Sequence, residues 1–533
     1  MITTTSIVIA ETASAASDRW QRWLVGAVGL LPVLFYLFMV LRFWGMLQDD
    51  SYIGFRYVDN FLAGHGLVFN PGEYVEGYTS PLWLLLIAAV SPVLSRPLAV
   101  KVLGVSCGLA TGLLIFLWVR RLAIYRGVGT RRAQVAAAMA LGFYFTDFGV
   151  VYYSVSGLET ILSGLMATAS AIAVYEDLRA REARYSWLLL GLAVWVRPEA
   201  ILLIVLSVGI MVAGGMDRRQ LLRLIVITAI VVAPLFICRR LIYGQWQANT
   251  FAAKVCFGFG TLKLAAAYVL PCLYHFGKPV VLLFWLLGFR TATRRLGLLG
   301  AIVLTLPLVV VLTLIVLAGG DWMGHLRFLV PSFGTVSILA GLGVAAVVGN
   351  RHWGVFEVAF LGCVMLLLLA AGSLAARHQA DEEDASMLSG PSAIWNGGRD
   401  SRSDPFVANW IKGHVAPYQW VAYDDMGLVP YLNPKVNFID FHGLITAEVS
   451  RLEDAKRNIS GVWDDELDAK TSLARLLVKK HPEFILSMPR PIGLYPIGTC
   501  VLGGAYEACD AIDIPHDANV PRKCVYCFKH VDR

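Results

Sequence analysis

Charge is what this sequence has little of. Only 16% of its 533 residues are Asp, Glu, Lys or Arg, and 57% are hydrophobic. Soluble domains carry roughly 25% charged residues, so a wholly soluble enzyme is excluded and a polytopic membrane protein with a soluble remainder is expected. The net charge of +7 sits in short loops, which suits membrane orientation rather than nucleic-acid binding. The opening MITTTSIVIAETASAASDRWQRW lacks a basic stretch leading into a short apolar core, so it reads as a cytoplasmic tail over 1–22 rather than a cleaved signal. No internal repeat or low-complexity segment is visible. Transporters commonly show inverted repeats with broken helices in both halves, so a transporter is disfavoured.

Cysteine is sparse as well. Five of the nine, Cys107, Cys238, Cys256, Cys272 and Cys363, are scattered through apolar sequence and behave as small hydrophobes. Cys500, Cys509, Cys524 and Cys527 crowd the last 34 residues. Four so close suggest two disulfides in an oxidising compartment, or a zinc site if the tail is cytoplasmic.

A spanning helix needs about 20 apolar residues. Candidates are 23–45, 98–119, 133–150, 157–176, 186–197, 199–215, 221–238, 264–289, 296–318, 329–349 and 354–375. The run 81–95 is only about two-thirds of spanning length. If it is re-entrant or lies on the outer surface, Arg120, Arg121, Arg126, Arg131 and Arg132 become cytoplasmic, as do the arginines of every later inner loop. That assumption gives about eleven spans over 23–376, with the loops 46–97, 151–157, 239–263 and 319–328 outside. The remainder, 377–533, is also outside, which favours disulfides; four cysteines allow three pairings. Strand-type runs (419–422, 436–440, 483–486) and a helical run (467–480) make that tail a small α/β domain.

The densest polar chemistry lies in the first outer loop, DDSYIGFRYVDNFLAGHGLVFNPGEYVEGYTSPLW from Asp49 to Trp83. Residues 51–63 form a surface helix closed by Gly64 and Gly66. Helical spacing aligns Asp49 with Tyr52, Arg56 and Asn60, and Asp50 with Ile53 and Tyr57. One aspartate caps the helix in the plainest reading. Sugar transfer to a hydroxyl needs a carboxylate that takes the acceptor proton. A loop carboxylate beneath an apolar wall can have the raised pKa this requires. Glu76, Tyr78 and Thr79 follow in a turn whose plainest reading is structural. Arg197 and Glu199 sit in apolar surroundings, where an unpaired charge costs at least ~2.5 kcal/mol, so they pair with each other in the plainest reading. Every one of these polar clusters falls at the outer end of a span.

The Asp49–Trp83 stretch closely resembles the first loop of terminal β-(1→2)-arabinofuranosyltransferases, of the GT-C superfamily. Ser156–Thr160 (SGLET), Trp195–Glu199 (WVRPE) and Gly319–Met323 (GGDWM) with Arg327 resemble further elements of that family. So do Tyr243-Gly244, Asn249-Thr250 and Lys254, although Ala248 stands where the family has proline. In the tail, Asp425–Gly427 (DMG) and Asp440–Gly443 (DFHG) resemble its D-x-G elements, while the last 40 residues carry none.

The resemblance implies transfer of arabinofuranose from decaprenylphosphoryl-arabinose, outside a bacterial plasma membrane, to an arabinan, a lipopolysaccharide or a protein. Related transferases use mannose, galacturonic acid or aminoarabinose instead. In this reading Asp49 or Asp50 is the base that activates the acceptor hydroxyl; Asp50 is favoured, because the alignment of Asp49 with Arg56 suits a structural pair or a helix cap. Tyr52, Arg56, His65, Glu76, Tyr78, Thr79, Glu159, Arg197, Glu199, Asn249 and Asp321 would hold the donor sugar, and Asp425, Asp440 and His442 the acceptor. Lys254 and Arg327 would neutralise the phosphate, while Arg239 and Arg240 anchor the end of a span. The polyprenyl chain would lie near 81–95 and 239–263. No cofactor is required in this reading, although Asp49 and Asp50 could hold a divalent metal.

Overall fold

Uninterrupted apolar sequence folds as helix here because backbone in hydrocarbon must satisfy its own polar groups. The computed structural model describes residues 29–125, 127–250, 259–270, 278–321, 323–349, 355–384, 404–423, 425–452, 472–487, 506–514 and 523–531. Its first helices are α1 (Gly29–Arg42), α2 (Asp50–Leu62), α3 (Pro81–Val90), α4 (Arg96–Tyr125), α5 (Thr130–Phe145), α6 (Phe148–Val155) and α7 (Thr160–Ala180). There follow α8 (Ser186–Val196), α9 (Ala200–Ala213), α10 (Arg218–Tyr243), α11 (Phe259–Val269), α12 (Lys278–Leu296), α13 (Leu298–Ala318), α14 (Phe333–Gly349) and α15 (Val355–Asp384).

The protein is a multi-pass membrane protein. Among the described residues, six helices are long and apolar enough to cross a membrane, or seven if α5 and α6, bent by 62°, form one span. The expected eleven is not reached. Arg197-Pro198 separates α8 from α9; Arg197 is extended, at φ −149°, as the residue before a proline prefers. The expected span 264–289 is occupied by parts of α11 and α12. Between α5 and α6, the Asp147 side chain accepts from the Gly149 amide at 2.9 Å and starts a new helix.

Helix α3 has ten residues and opens on proline. Its length, about 15 Å, is half the ~30 Å hydrocarbon depth, so it does not span. Helices α12 and α14 pack closely through small residues: a Cβ on Gly288 would overlap the Leu339 carbonyl, and one on Gly343 the Phe284 carbonyl.

The tail carries α16 (Asp404–His414), β1 (Trp420–Tyr423), α17 (Leu428–Leu432), β2 (Asn437–Asp440), α18 (Ser472–Lys480), β3 (Phe484–Ser487), β4 (Tyr506–Ile514) and β5 (Lys523–His530). One mixed sheet has the order β2-β1-β3-β5-β4. β1 pairs parallel with β2 and β3, while β5 pairs antiparallel with β3 and β4. All three expected strand runs are strands. One apolar core joins the tail to the first loop, with Tyr52, Phe55 and Trp83 in the same cluster as Val407, Val429 and Phe438.

The disulfide expectation needs correction at Cys509, which is a free thiol. The β4–β5 register shifts between Ala508 and Asp510, so Asp510 rather than Cys509 stands opposite Cys527. The Cys509 Sγ donates to the Cys527 carbonyl at 3.3 Å instead. Cys500 and the side chain of Cys524 lie outside the described residues.

Candidate active site

Helix α2 displays Asp49 and Asp50 on different sides, because successive helical residues are rotated by about 100°. Asp50, Ile53 and Gly54 line a cavity of about 140 Å³. Glu159, Arg197, Glu199, Arg327, Tyr78 and Thr79 also line it. Trp83, Leu84 and Ile87 of α3 supply an apolar face, and Leu444 of the tail covers part of it. A smaller apolar cavity, about 40 Å³, shares Arg197, Glu199, Arg327 and Phe328 and continues between α7, α9 and α13.

Both arginines here are engaged by carboxylates. Arg197 donates through Nη1 to Glu159 at 2.7 Å and through Nε to Glu199 at 2.5 Å. The expected Arg197–Glu199 pair is thus a triad. Arg327 donates through Nη2 to Asp321 at 3.1 Å, and its Nη1 lies 2.7 Å from the Met323 sulfur. Burial alone would raise the Glu159 carboxyl, but the Arg197 and Arg327 guanidiniums hold it below the usual range. Burial would lower the Arg327 pKa, yet the negative charge of Asp321, helped by Asp50, raises it. Two guanidiniums therefore face four carboxylates around one cleft, in surroundings where charge–charge interactions are strong.

Several expected ligands are not at the cleft. Glu76 is 3% exposed and accepts from Arg239 Nε at 2.5 Å and Nη2 at 2.9 Å. Burial raises its pKa above the usual range despite Arg239. Arg239, expected to anchor a span, is instead this carboxylate's buried partner. The Asp49–Arg56 pair does not form, because the two side chains engage the tail separately. Arg56 donates to the carbonyls of Phe69, Pro430 and Val436 at 2.8, 2.5 and 2.7 Å. Burial pushes its pKa down to about 9. Asp49 accepts from the Leu428 amide at 2.8 Å. Tyr52 packs on Tyr431 with ring centroids 5.3 Å apart. His65 is exposed in the turn after α2.

Asn249 donates to the carbonyls of Gly443 and Leu444 at 2.6 and 3.0 Å, and its own amide reaches the Glu76 carbonyl at 3.2 Å. Asp440 is buried and accepts from the amides of His442, Leu444 and Ile445. It shapes the turn that carries His442 and places Leu444 at the cleft. Asp425 accepts from the Gly427 amide at 3.4 Å. Lys254 lies outside the described residues. Trp83, Thr250 and Phe328 also line the cleft and were not singled out from sequence; aromatic and hydroxyl residues beside the motifs were the available signal. Among the described residues, no group of three or more His, Cys, Asp or Glu is arranged to hold a metal ion.

Residues 395–521 match a domain of unknown function (DUF8728). Over 234 residues the chain is 29% identical to the terminal beta-(1->2)-arabinofuranosyltransferase of Mycobacterium tuberculosis, covering 40% of this chain and 36% of that protein. The matched region thus spans about a third of that relative's length. Among solved structures, it resembles ArnT from Cupriavidus metallidurans bound to undecaprenyl phosphate, with TM-score 0.52, 13% identity and coverage of 95% of this chain and 98% of that one. It also resembles the Archaeoglobus fulgidus oligosaccharyltransferase tethered to an acceptor peptide, with TM-score 0.52, 12% identity and coverage of 87% and 69%. The chain has the GT-C fold that these two solved structures share, and over the matched 234 residues its sequence is similar to that of a glycosyltransferase.

Proposed function

We propose that this protein transfers arabinofuranose from a polyprenyl-phosphate donor to a hydroxyl of a cell-envelope glycan or glycoprotein, on the outer side of a bacterial plasma membrane. The observation that carries the reading is a single cleft in which Asp50 shares the lining with the buried guanidinium of Arg327 and the partly buried one of Arg197, beside an apolar face. The polyprenyl chain runs along Trp83, Leu84 and Ile87 and into the apolar cavity between α7, α9 and α13. The phosphate lies toward Arg327 and Arg197. As the acceptor oxygen bonds to the anomeric carbon, Asp50 takes its proton. The bond from that carbon to the phosphate oxygen breaks, and the electron pair leaves with the polyprenyl phosphate. A guanidinium stabilises the charge on that oxygen, an effect commonly worth about 10²–10³-fold in rate. The tail domain covers the cleft through Leu444 and contributes to the acceptor side.

A donor carrying another sugar is the second reading. The solved ArnT structure that shares this fold is bound to undecaprenyl phosphate, a carrier compatible with either reading. Purified protein is incubated with radiolabelled decaprenylphosphoryl-arabinose and candidate acceptors, and with polyprenyl-phosphate mannose or aminoarabinose in parallel. Arabinose transfer that falls about 10²–10⁴-fold in Asp50→Asn supports the first reading. Turnover with another donor alone selects the second, and wild-type turnover in Asp50→Asn sinks the assignment of the base.

A further inference from the structure

We infer that Asp49 is a positioning residue that fixes Asp50 in the cleft by locking α2 to the tail domain, and is not a second reacting carboxylate. The inference rests on the transferase reading of the cleft. Its structural basis is the way α2 holds the five-residue helix α17. One stripe of α2, Asp49–Tyr52–Arg56, runs along α17 from end to end. At the start of α17, Asp49 Oδ1 accepts from the Leu428 amide at 2.8 Å. Midway, the rings of Tyr52 and Phe55 lie 5.3 and 5.8 Å from that of Tyr431. At its far end, Arg56 donates to the carbonyls of Pro430, Asn433 and Val436 at 2.5, 3.3 and 2.7 Å.

The fit at the first contact is very close. A Cβ placed on Gly427 would fall inside the Asp49 carboxylate, so glycine is required there for backbone and carboxylate to meet. Asp49 and Asp50 are adjacent, so the contact that fixes one also fixes the rotation of α2 about its axis for the other. A displacement of about 1 Å at a reacting group can cost on the order of 10²-fold in rate. The job assigned to Asp49 needs only an oxygen that accepts a hydrogen bond. An asparagine amide supplies that oxygen, whereas a general base needs the carboxylate's negative charge.

The full-length protein is compared with Asp49→Asn, Asp49→Ala, Gly427→Ala and Asp50→Asn. kcat and donor KM are measured with decaprenylphosphoryl-arabinose, and backbone hydrogen exchange is followed over residues 426–432. Asp49→Asn is expected to keep kcat within about threefold and to retain Leu428 protection, since its oxygen still accepts that bond. Asp49→Ala and Gly427→Ala are expected to lose about 10²-fold in kcat, with donor KM within about twofold, and to exchange faster at Leu428. An Asp49→Asn protein as inactive as Asp50→Asn would overturn the inference. So would a Gly427→Ala protein with wild-type rate and protection. If the wild type turns over no donor, the transferase reading fails on its own. The exchange arm then still decides the contact: faster exchange in Asp49→Ala but not Asp49→Asn upholds it, and equal protection in both removes it.

Discussion

Arg239, near the end of α10, holds both carboxylate oxygens of Glu76, 163 residues earlier, at 2.5 and 2.9 Å with each side chain 3% exposed. The ion pair ties the first loop to a membrane span directly behind the turn that supplies Gly77, Tyr78 and Thr79 to the cleft. A buried pair of this kind stabilises less than it constrains, because desolvation offsets much of the attraction.

Breaking the pair on one side is therefore expected to be costly. Arg239→Met leaves a buried carboxylate alone and should destabilise the protein by about 3–5 kcal/mol. The double variant Glu76→Met/Arg239→Met should recover most of that loss. Thermal unfolding in detergent checks both, and a double variant no better than the single would show that the pair contributes net stability.

Arg327 is expected to answer differently. Arg327→Lys keeps the charge but replaces the planar fork that engages Asp321 through Nε and Nη2 with a single ammonium. The expected result is a kcat lower by about 10²-fold with the unfolding temperature little changed. A wild-type kcat would remove Arg327 from the proposed phosphate site.

The pH dependence of stability should carry the signature of Glu159. Its folded pKa lies below its ordinary value because of Arg197 and Arg327, although burial opposes them. Its contribution is therefore full above about pH 4.3, the unfolded value, and is lost as pH falls through the folded value. Glu159→Gln should lower the unfolding temperature at neutral pH and flatten the acid limb. An acid limb parallel to that of the wild type would contradict this.

Gly77 offers a steric test of the cleft's roof. A Cβ there would lie 2.7 Å from the Tyr57 hydroxyl and from Ile445, and 3.1 Å from the Leu444 carbonyl. Gly77→Ala should destabilise by about 1–3 kcal/mol through overpacking and lower turnover by moving Leu444. Unchanged stability and turnover would mean that the tail yields freely at this point.

Helical spacing alone placed Asp49, Tyr52, Arg56 and Asn60 on one face of α2, with Asp50 turned away from them, and the short apolar run at α3 was legible as a segment that does not cross. What that face of α2 meets in the tail was not legible, because those partners begin more than 370 residues later at Leu428. Arg239 was misread for the same reason. An arginine at the end of a span has an ordinary local explanation in snorkelling, and only the fold brings Glu76 to it. The expected eleven spans are not confirmed among the described residues, where six or seven helices are long and apolar enough to cross; the 133–150 run, for example, breaks at Asp147, which ends one helix and begins another. Asp440 illustrates a further limit: its three backbone amides lie within five residues of it, yet only the folded turn distinguishes a structural carboxylate from an acceptor-binding one.

Helix α3 reaches only about half the depth of a bilayer, and Trp83, Leu84 and Ile87 on it form the apolar face of the cleft. A donor of the proposed kind, held by its hydrocarbon tail, would meet that face by sliding within the leaflet. Its supply is then set by molecules per unit area of membrane, and the apparent KM should follow mole fraction in the lipid phase, not concentration in the surrounding water.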